Sequence, residues 1–320
     1  MTARCLPILL CGLLLTSQAL AFPLKPVRVV VPYPTGGGID ILARQLANRL
    51  SAQWAQAVVV DNRPGSSTIA GAEAVAHASA DGHTWLLTTD ATMSINPHLF
   101  AHLPYDPVRD FAPVSLLVLL QQILLAQPAL GVNSLADLVR LARARAGTIN
   151  YASYGVGSQP HLAGELLKNA AGIDLVHVPY KGISLAIPAV AAGEVELTFG
   201  GIISSTPFIK AGRVIPLAIG GTRRSALLPA VPTFTESGYP EVQTHAWFGL
   251  FVPAGTPRAI IDKIHDDVVA IIDDPEYRER ELINKGYDPV GNTPEAFAAY
   301  LRTDYEQRGR AVRLSGARSE

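Results

Sequence analysis

The chain has 320 residues, with 26 Lys and Arg against 27 Asp and Glu, for a formal charge of −1. Near-neutrality leaves no basic footprint for nucleic acid. Both cysteines, Cys5 and Cys11, fall in an N-terminal stretch that reads as removable, so the mature chain is expected to hold no disulfide or thiolate metal site and to depend on its core.

Residues 1–21 read as a signal peptide. Arg4 supplies the positive start, Leu6–Leu15 the apolar run, and Ala19-Leu20-Ala21 the small-residue cleavage site. The run is too short to span a bilayer. Leu10 stands before Cys11 where a lipid-anchored protein needs a small residue, which argues against lipidation. Removal after Ala21 of these 21 residues leaves 299 of the 320, exported to the periplasm and long enough for two domains.

From Phe22 onward short apolar runs alternate with amphipathic stretches, the pattern of an α/β fold. Val27–Val31 reads as a buried strand, Ile41–Trp54 as a helix, Ala57–Val60 as a strand and Ile69–Ala78 as an alanine-rich helix. Thr84–Thr89 is a third strand, Asn96–Pro113 is irregular, and Val114–Leu125 reads as one further strand. Ser134 caps a helix over Leu135–Arg145, with Asp137 in its first turn. Strands follow at Ile149–Ser153, Leu175–Pro179, Glu196–Phe199 and Val214–Ile219, with helices at Pro160–Ala171, Leu185–Ala192 and Thr206–Ala211 between them. After a strand at Trp247–Val252 come three helices opened by proline: Pro257–Ile272, Pro275–Lys285 and Pro294–Arg313. A simple cut would leave this helical tail without a sheet to cover. The expected division is therefore discontinuous, with residues 22–125 and 240–320 in one lobe and 126–239 in the other.

Two segments carry the candidate chemistry. In VRVVVPYPTGGGID a buried strand runs through Tyr33 and Thr35 into Gly36, Gly37 and Gly38 and opens a helix. Bare backbone delivered to a helix N-terminus offers unpaired N–H groups to an anion. An ordinary tight turn has the same composition. Asp40 reads as a structural cap, since its charge would repel an anion. Isoleucine at position 41, where a dinucleotide fingerprint needs a small residue, argues against that use.

The second segment is Ser153–His161, SYGVGSQPH, in which Gly155 and Gly157 free the turn, Ser158 is placed as an N-cap and Pro160 sets the first helical turn. His161 is either an added donor or a packing residue. Thr88, Thr89, Asp90, Thr92 and Ser94 follow the third strand, where hydroxyls either line a crevice or make a plain turn. Tyr180 and Lys181 follow another strand in the same way. G-x-S-x-G, H-E-x-x-H, C-x-x-C and G-K-[ST] are all missing, and Ser158 with His161 has no third group to orient it as a nucleophile–base pair. No catalytic residue, metal or cofactor is expected.

These segments, with ILAR, VVVDNRPG, INPHL, LPYDPVRDFAPVS, NYASYGVGSQPHLAGEL, VHVPYKG, LPAVPT, WFGLFVPAGTP and PVGNTPEAFAAY in order, resemble the Bug-type solute receptors of tripartite tricarboxylate transporters over nearly all of Phe22–Glu320. The resemblance implies a two-lobed periplasmic binding protein, type II-like, each lobe a mostly parallel sheet flanked by helices and joined by crossing strands. It implies a monomer that closes on a small carboxylate and passes it to integral membrane transporter subunits. A sensory accessory protein, or a hydrolase or isomerase with His161 as its base, are the alternatives. The family's two glycine loops, which grip one carboxylate partly through waters, correspond to Tyr33–Asp40 and Ser153–His161. This chain departs from the family pattern at Pro34-Thr35, at Ile39 and at Gly200-Gly201, where an Asp or Asn is usual. Gly200 is expected to open the rim of the second lobe and so to favour a bulkier, aromatic or dicarboxylate ligand over an amino acid.

Overall fold

The computed structural model describes residues 22–180, 183–221, 223–242 and 244–318. The expected signal peptide and Lys181 lie outside the described residues. The strands are β1 (Val27–Val31), β2 (Val58–Asn62), β3 (Thr84–Thr89), β4 (Phe111–Leu120), β5 (Gln122–Ala126), β6 (Asn150–Ser153), β7 (Val176–Pro179), β8 (Leu197–Gly201), β9 (Ile215–Ile219), β10 (Ala246–Pro253) and β11 (Tyr287–Pro289). The helices are α1 (Gly38–Trp54), α2 (Ile69–Ala76), α3 (Asn96–Leu99), α4 (Leu135–Ala144), α5 (Gln159–Ala171), α6 (Ile183–Ala192), α7 (Ile202–Lys210), α8 (Arg258–Asp273), α9 (Pro275–Tyr277) and α10 (Pro294–Ser315).

They build two sheets, in the orders β11-β4-β10-β3-β1-β2 and β7-β6-β8-β5-β9. Each sheet is mixed and not mostly parallel. β1 pairs in parallel with β2 and β3, and β6 with β7 and β8. The remaining pairings are antiparallel: β10, which follows a crossing between sheets, with β3 and β4, β11 with β4, and β5, which also follows a crossing, with β8 and β9. The apolar run Val114–Leu125, expected as one strand, is two. β4 belongs to the first sheet and β5 to the second, with Gln121 as the crossing residue. Both strands are buried, so their composition does not mark the break. The return crossing runs from β9 to β10, and Phe234 bonds back to Ile219, keeping most of that connection with the second sheet.

Apolar clusters cover both faces of each sheet: Val27, Leu42, Trp85 and Ile264 against Val30, Leu86 and Phe251 on the first, and Leu124, Tyr151, Leu167 and Phe199 against Ile123, Leu125 and Ile187 on the second. A smaller cluster joins Ile95 to Leu162 and Leu166 of α5 and to Ala311 and Val312 of α10, so the last helix packs against elements of both sheets. Gly71 lets α2 approach β1: a Cβ there would lie 2.7 Å from the Pro32 side chain, at the start of the first glycine loop.

Other differences from the sequence reading are local. The Pro275–Lys285 helix breaks into α9, a wide turn over Arg278–Leu282 and a tight turn over Ile283–Lys285, ended by Gly286 at φ +74°. The short strand β11 that follows is too brief to show a period. Part of the irregular Asn96–Pro113 stretch is α3. Helix α7 starts at Ile202, directly from β8, because Ser204 and Ser205 turn their hydroxyls onto the Gly201 carbonyl at 2.9 and 2.7 Å. Among the described residues no helix is long and apolar enough to cross a membrane.

Candidate functional site

The parallel strands β1 and β3 of one sheet, and β6, β7 and β8 of the other, carry at their C-terminal ends nearly all the residues singled out from sequence.

At the first corner Gly36 adopts φ +86° and Gly37 is the N-cap of α1, with no side chain to cover the helix start. The first helical bond runs from Ile41 N–H to the Gly37 carbonyl at 3.0 Å, which leaves the N–H groups of Gly38 and Ile39 without a helical acceptor. Gly36 differs: its N–H donates to Asp40 Oδ2 at 2.8 Å. Asp40 also accepts from Arg44 Nε at 3.0 Å and Asn62 Nδ2 at 2.9 Å, and Asn62 Nδ2 holds the Tyr33 carbonyl at 3.1 Å. Burial opposes the charged form of Asp40, but these donors overcome it and hold its carboxyl below the usual carboxylate range. Asp40 thus shapes the loop from inside and does not face a ligand.

Tyr33 hydrogen-bonds Thr89 through their hydroxyls at 2.7 Å, and burial pushes its phenol well up. Thr89 also accepts from Ala91 N–H at 3.1 Å. Thr88 is not on this face. Neighbouring strand residues point to opposite sides, and Thr88 is 0% exposed and bonded to the Thr92 hydroxyl, which meets Thr68 at 2.8 Å. Thr35 is exposed on the loop.

At the second corner Gly155 and Gly157 have φ +129° and +75°. Ser153 is fully buried and spends its hydroxyl on the Gly155 carbonyl (3.1 Å), the Gly155 N–H (3.0 Å) and His177 Nε2 (2.6 Å). Ser158 occupies the N-cap position of α5, but its hydroxyl donates to the Gly155 carbonyl at 2.6 Å and does not cap the helix. Gly157 N–H donates to His161 Nδ1 at 3.0 Å. The first helical bond is from Leu162 N–H to the Ser158 carbonyl, so the N–H groups of Gln159 and His161 lack a helical acceptor.

Tyr180 follows β7, with its N–H on the Ser153 carbonyl at 2.8 Å and its ring against the apolar cluster of Ile123 and Ile187. Gly200 does not open the rim as expected. It is buried, and a Cβ there would lie 2.9 Å from both Ile187 Cδ1 and Ser205 Oγ, because α6 and α7 pack over it. The freer position is Gly201, whose Cβ would meet only Ser204 Oγ, at 3.5 Å.

Leu99, Asp90 and Tyr154 link the second corner to the first sheet's side. A Cβ on Gly157 would come 2.9 Å from Leu99 Cδ1, so the second corner rests on α3 of the first sheet's side. Burial raises the pKa of both Tyr33 and Tyr154, one from each corner, and the Asp90 charge adds to the rise of each. Asp90 is 4% exposed, and Arg308 of α10 approaches its Oδ2 at 3.3 Å without the geometry of a hydrogen bond. Arg308 also pairs with Asp304 at 3.2 Å and bonds the His245 carbonyl beside β10. Burial pushes the Asp90 carboxyl up to about 6 against the pull of Arg308, with Asp304 adding to the rise. Tyr154 was findable: it directly follows β6, inside the second glycine segment. Nothing local in the sequence links Arg308 to Asp90.

A family model described as the tripartite tricarboxylate transporter family receptor matches residues 42–316. The chain belongs to that family. BugT of Bordetella pertussis is 32% identical over 308 residues, 96% of this chain and 94% of BugT. Rpa4515 of R. palustris, solved with adipate, superposes with a TM-score of 0.77 at 33% identity, covering 92% of this chain and 98% of that one. MatC (Rpa3494) from Rhodopseudomonas palustris, solved with malate, gives 0.73 at 31%, covering 91% and 100%. The receptor accordingly has the two-lobed α/β fold of a periplasmic binding protein, and its work is to bind and release a solute. It presents two helix starts whose first N–H groups lack a helical acceptor. Among the described residues no cluster of three or more metal-ligating side chains accompanies them.

Proposed function

We propose that this receptor binds a small carboxylate, with dicarboxylates preferred, between its two glycine corners and delivers it from the periplasm to integral membrane transporter subunits. The observation that carries the reading is the packing of the second corner, at Gly157, on Leu99 of α3 on the first sheet's side, with helix-start N–H groups that lack a helical acceptor at each corner. Malate and adipate in the two structural relatives support the ligand class. The proposed contacts are the N–H groups near Gly37 and Gly38 in the first lobe and near Ser158 in the second, with Tyr33, Thr35, Thr89 and Tyr180 flanking. The proposed lobes meet at crossings near Gln121 and Thr244, and the chain acts as a monomer after its signal peptide is removed. Binding proceeds without turnover, since the one candidate base, His161, spends Nδ1 on the Gly157 amide.

Closure requires only that the ligand favour the closed form. Charge-assisted N–H···O bonds in a dry cleft provide that preference. Thermal and urea unfolding in the presence of succinate, malate, adipate, benzoate and aspartate tests the reading. A true ligand at a hundredfold excess over its Kd stabilises by about 2.7 kcal/mol. Flat unfolding curves across the whole set would overturn it.

A further inference from the structure

The imidazole of His161 is 5% exposed and faces its own loop. An amide N–H has only a proton to give, so the 3.0 Å contact from Gly157 N–H requires a bare lone pair on Nδ1. The ring is then neutral with its proton on Nε2. Behind it His177 of β7 stacks at 4.0 Å and 20°, and His177 is itself tied to Ser153 at 2.6 Å. Ser153 holds both the N–H and the carbonyl of Gly155. Two stacked imidazoles thus brace both glycines of the second corner. On the far side of Gly157 lies Leu99.

We propose that His161 is a positioning residue for solute binding: its neutral ring holds the Gly157 amide, and with it the second corner, and a proton on Nδ1 releases that corner. An added Nδ1 proton would face the amide proton, where no hydrogen bond exists. It would also set a cation against the His177 ring. The titratable groups around His161 are His177 on β7, Tyr151 on β6, and Glu165 and Lys168 on its own helix. Glu165 is the one anion, and it is engaged by Tyr151 at 2.7 Å and Lys168 at 3.0 Å. On the neighbouring α10, Ala311 and Val312 pack against Leu162 and Leu166, while Arg308 and Arg310, with Glu241, line a cavity beside Leu166. Burial, His177 and Lys168 all resist the proton, in keeping with a ring pushed down to about 4.

The binding half of this inference rests on the carboxylate reading, and the tautomer half does not. Long-range ¹H–¹⁵N correlation of the ligand-free mature protein between about pH 5.5 and 8 reports the tautomer directly. His161 is expected as the Nε2–H form throughout, and an Nδ1–H form or an imidazolium in that range overturns the proposal. The second arm measures malate and adipate affinity from pH 7.5 to 4 in the wild type, His161→Asn and His161→Leu. Asparagine places Oδ1 where Nδ1 was and does not titrate. Its affinity at pH 7.5 is expected to stay near wild type, whereas leucine weakens binding by about tenfold, as for the loss of one such bond. In acid the wild type is expected to lose affinity more steeply than His161→Asn, and ligand protonation is common to both. Leucine matching wild type at pH 7.5, or asparagine sharing the full acid loss, overturns the proposal. If neither acid binds any variant, the carboxylate reading fails and the tautomer measurement still decides the role of His161.

Discussion

The hydroxyl of Tyr287, on β11, lies where residue 38 would carry a side chain. A Cβ on Gly38 would collide with that oxygen, while the ring carbon Cζ would remain 3.6 Å away and Phe248 Cζ 3.9 Å. The open helix start of the first corner is therefore set by a residue far along the chain as well as by the glycine run itself.

Gly38→Ala is expected to cost about 1–3 kcal/mol through this overpacking, and to weaken malate or adipate binding at the same time. Tyr287→Phe removes only the colliding oxygen and leaves an ordinary contact. The double variant Gly38→Ala, Tyr287→Phe should regain most of the lost stability. Urea unfolding of the two single variants and the double variant, read as a cycle, checks the relationship. Additive losses would show that the phenol is not what excludes a side chain at position 38.

Gly157 is constrained twice, by φ +75° and by Leu99 Cδ1 at 2.9 Å from a Cβ position. Gly157→Ala is expected to lose about 1–2 kcal/mol from the left-handed backbone alone, plus a packing term from Leu99. Because that contact joins elements of both sheets, the loss should be larger for the malate-saturated protein than for the free one. Melting temperatures with and without malate test this, and an equal drop in both would place the contact outside the closing motion.

Local junctions were legible in the sequence. VRVVVPYPTGGG and SYGVGSQPH each hold strand, turn and helix start within a dozen residues, and both corners stand where they were read, with β1 and β3 at the expected bounds. What depends on register or on distant packing was not legible. Thr88 and Thr89 have the same chemistry, and only the pairing of β3 decides that Thr88 turns inward. Gly200 reads as open space until α6 brings Ile187 over it. The break at Gln121 is hidden because both strands it separates are buried and apolar. Asp90 could be seen at the end of a strand, but its partner Arg308 belongs to the last helix.

Asp40 is buried and gathers Gly36, Asn62 and Arg44 around one carboxylate. Asp40→Ala leaves those donors unpaired and is expected to cost about 1–3 kcal/mol. The pH dependence has a fixed sign. A carboxyl held below its unfolded value contributes stability that is present above that value and is lost as pH falls toward the folded one. Asp40→Asn should therefore flatten the loss of stability below about pH 4, the range of an unfolded aspartate. Chemical unfolding at pH 3, 4 and 7 would detect it, and an unchanged acid slope would assign that loss to other carboxylates.

The buried cluster around Asp90 sets two carboxylates, Asp90 and Asp304, against one guanidinium, Arg308, with all three at most 4% exposed. Removing the cation leaves two buried anions, so Arg308→Met is expected to cost about 3–5 kcal/mol. Asp90 behaves in the opposite sense to Asp40. Its carboxyl is raised to about 6, so the folded protein holds that proton more tightly than the unfolded chain. The stability it contributes when protonated is lost as pH rises from about 4 to 6 and stays lost above. Asp90→Asn removes this penalty while Arg308 keeps Asp304. The variant should therefore compare better with wild type at pH 7.5 than at pH 4.5, and should recover part of the loss in an Arg308→Met background. Urea unfolding at the two pH values decides it. If the effect of Asp90→Asn is the same at both, Asp90 carries its charge throughout, and Arg308 would then have to be neutralising it fully despite the missing hydrogen bond.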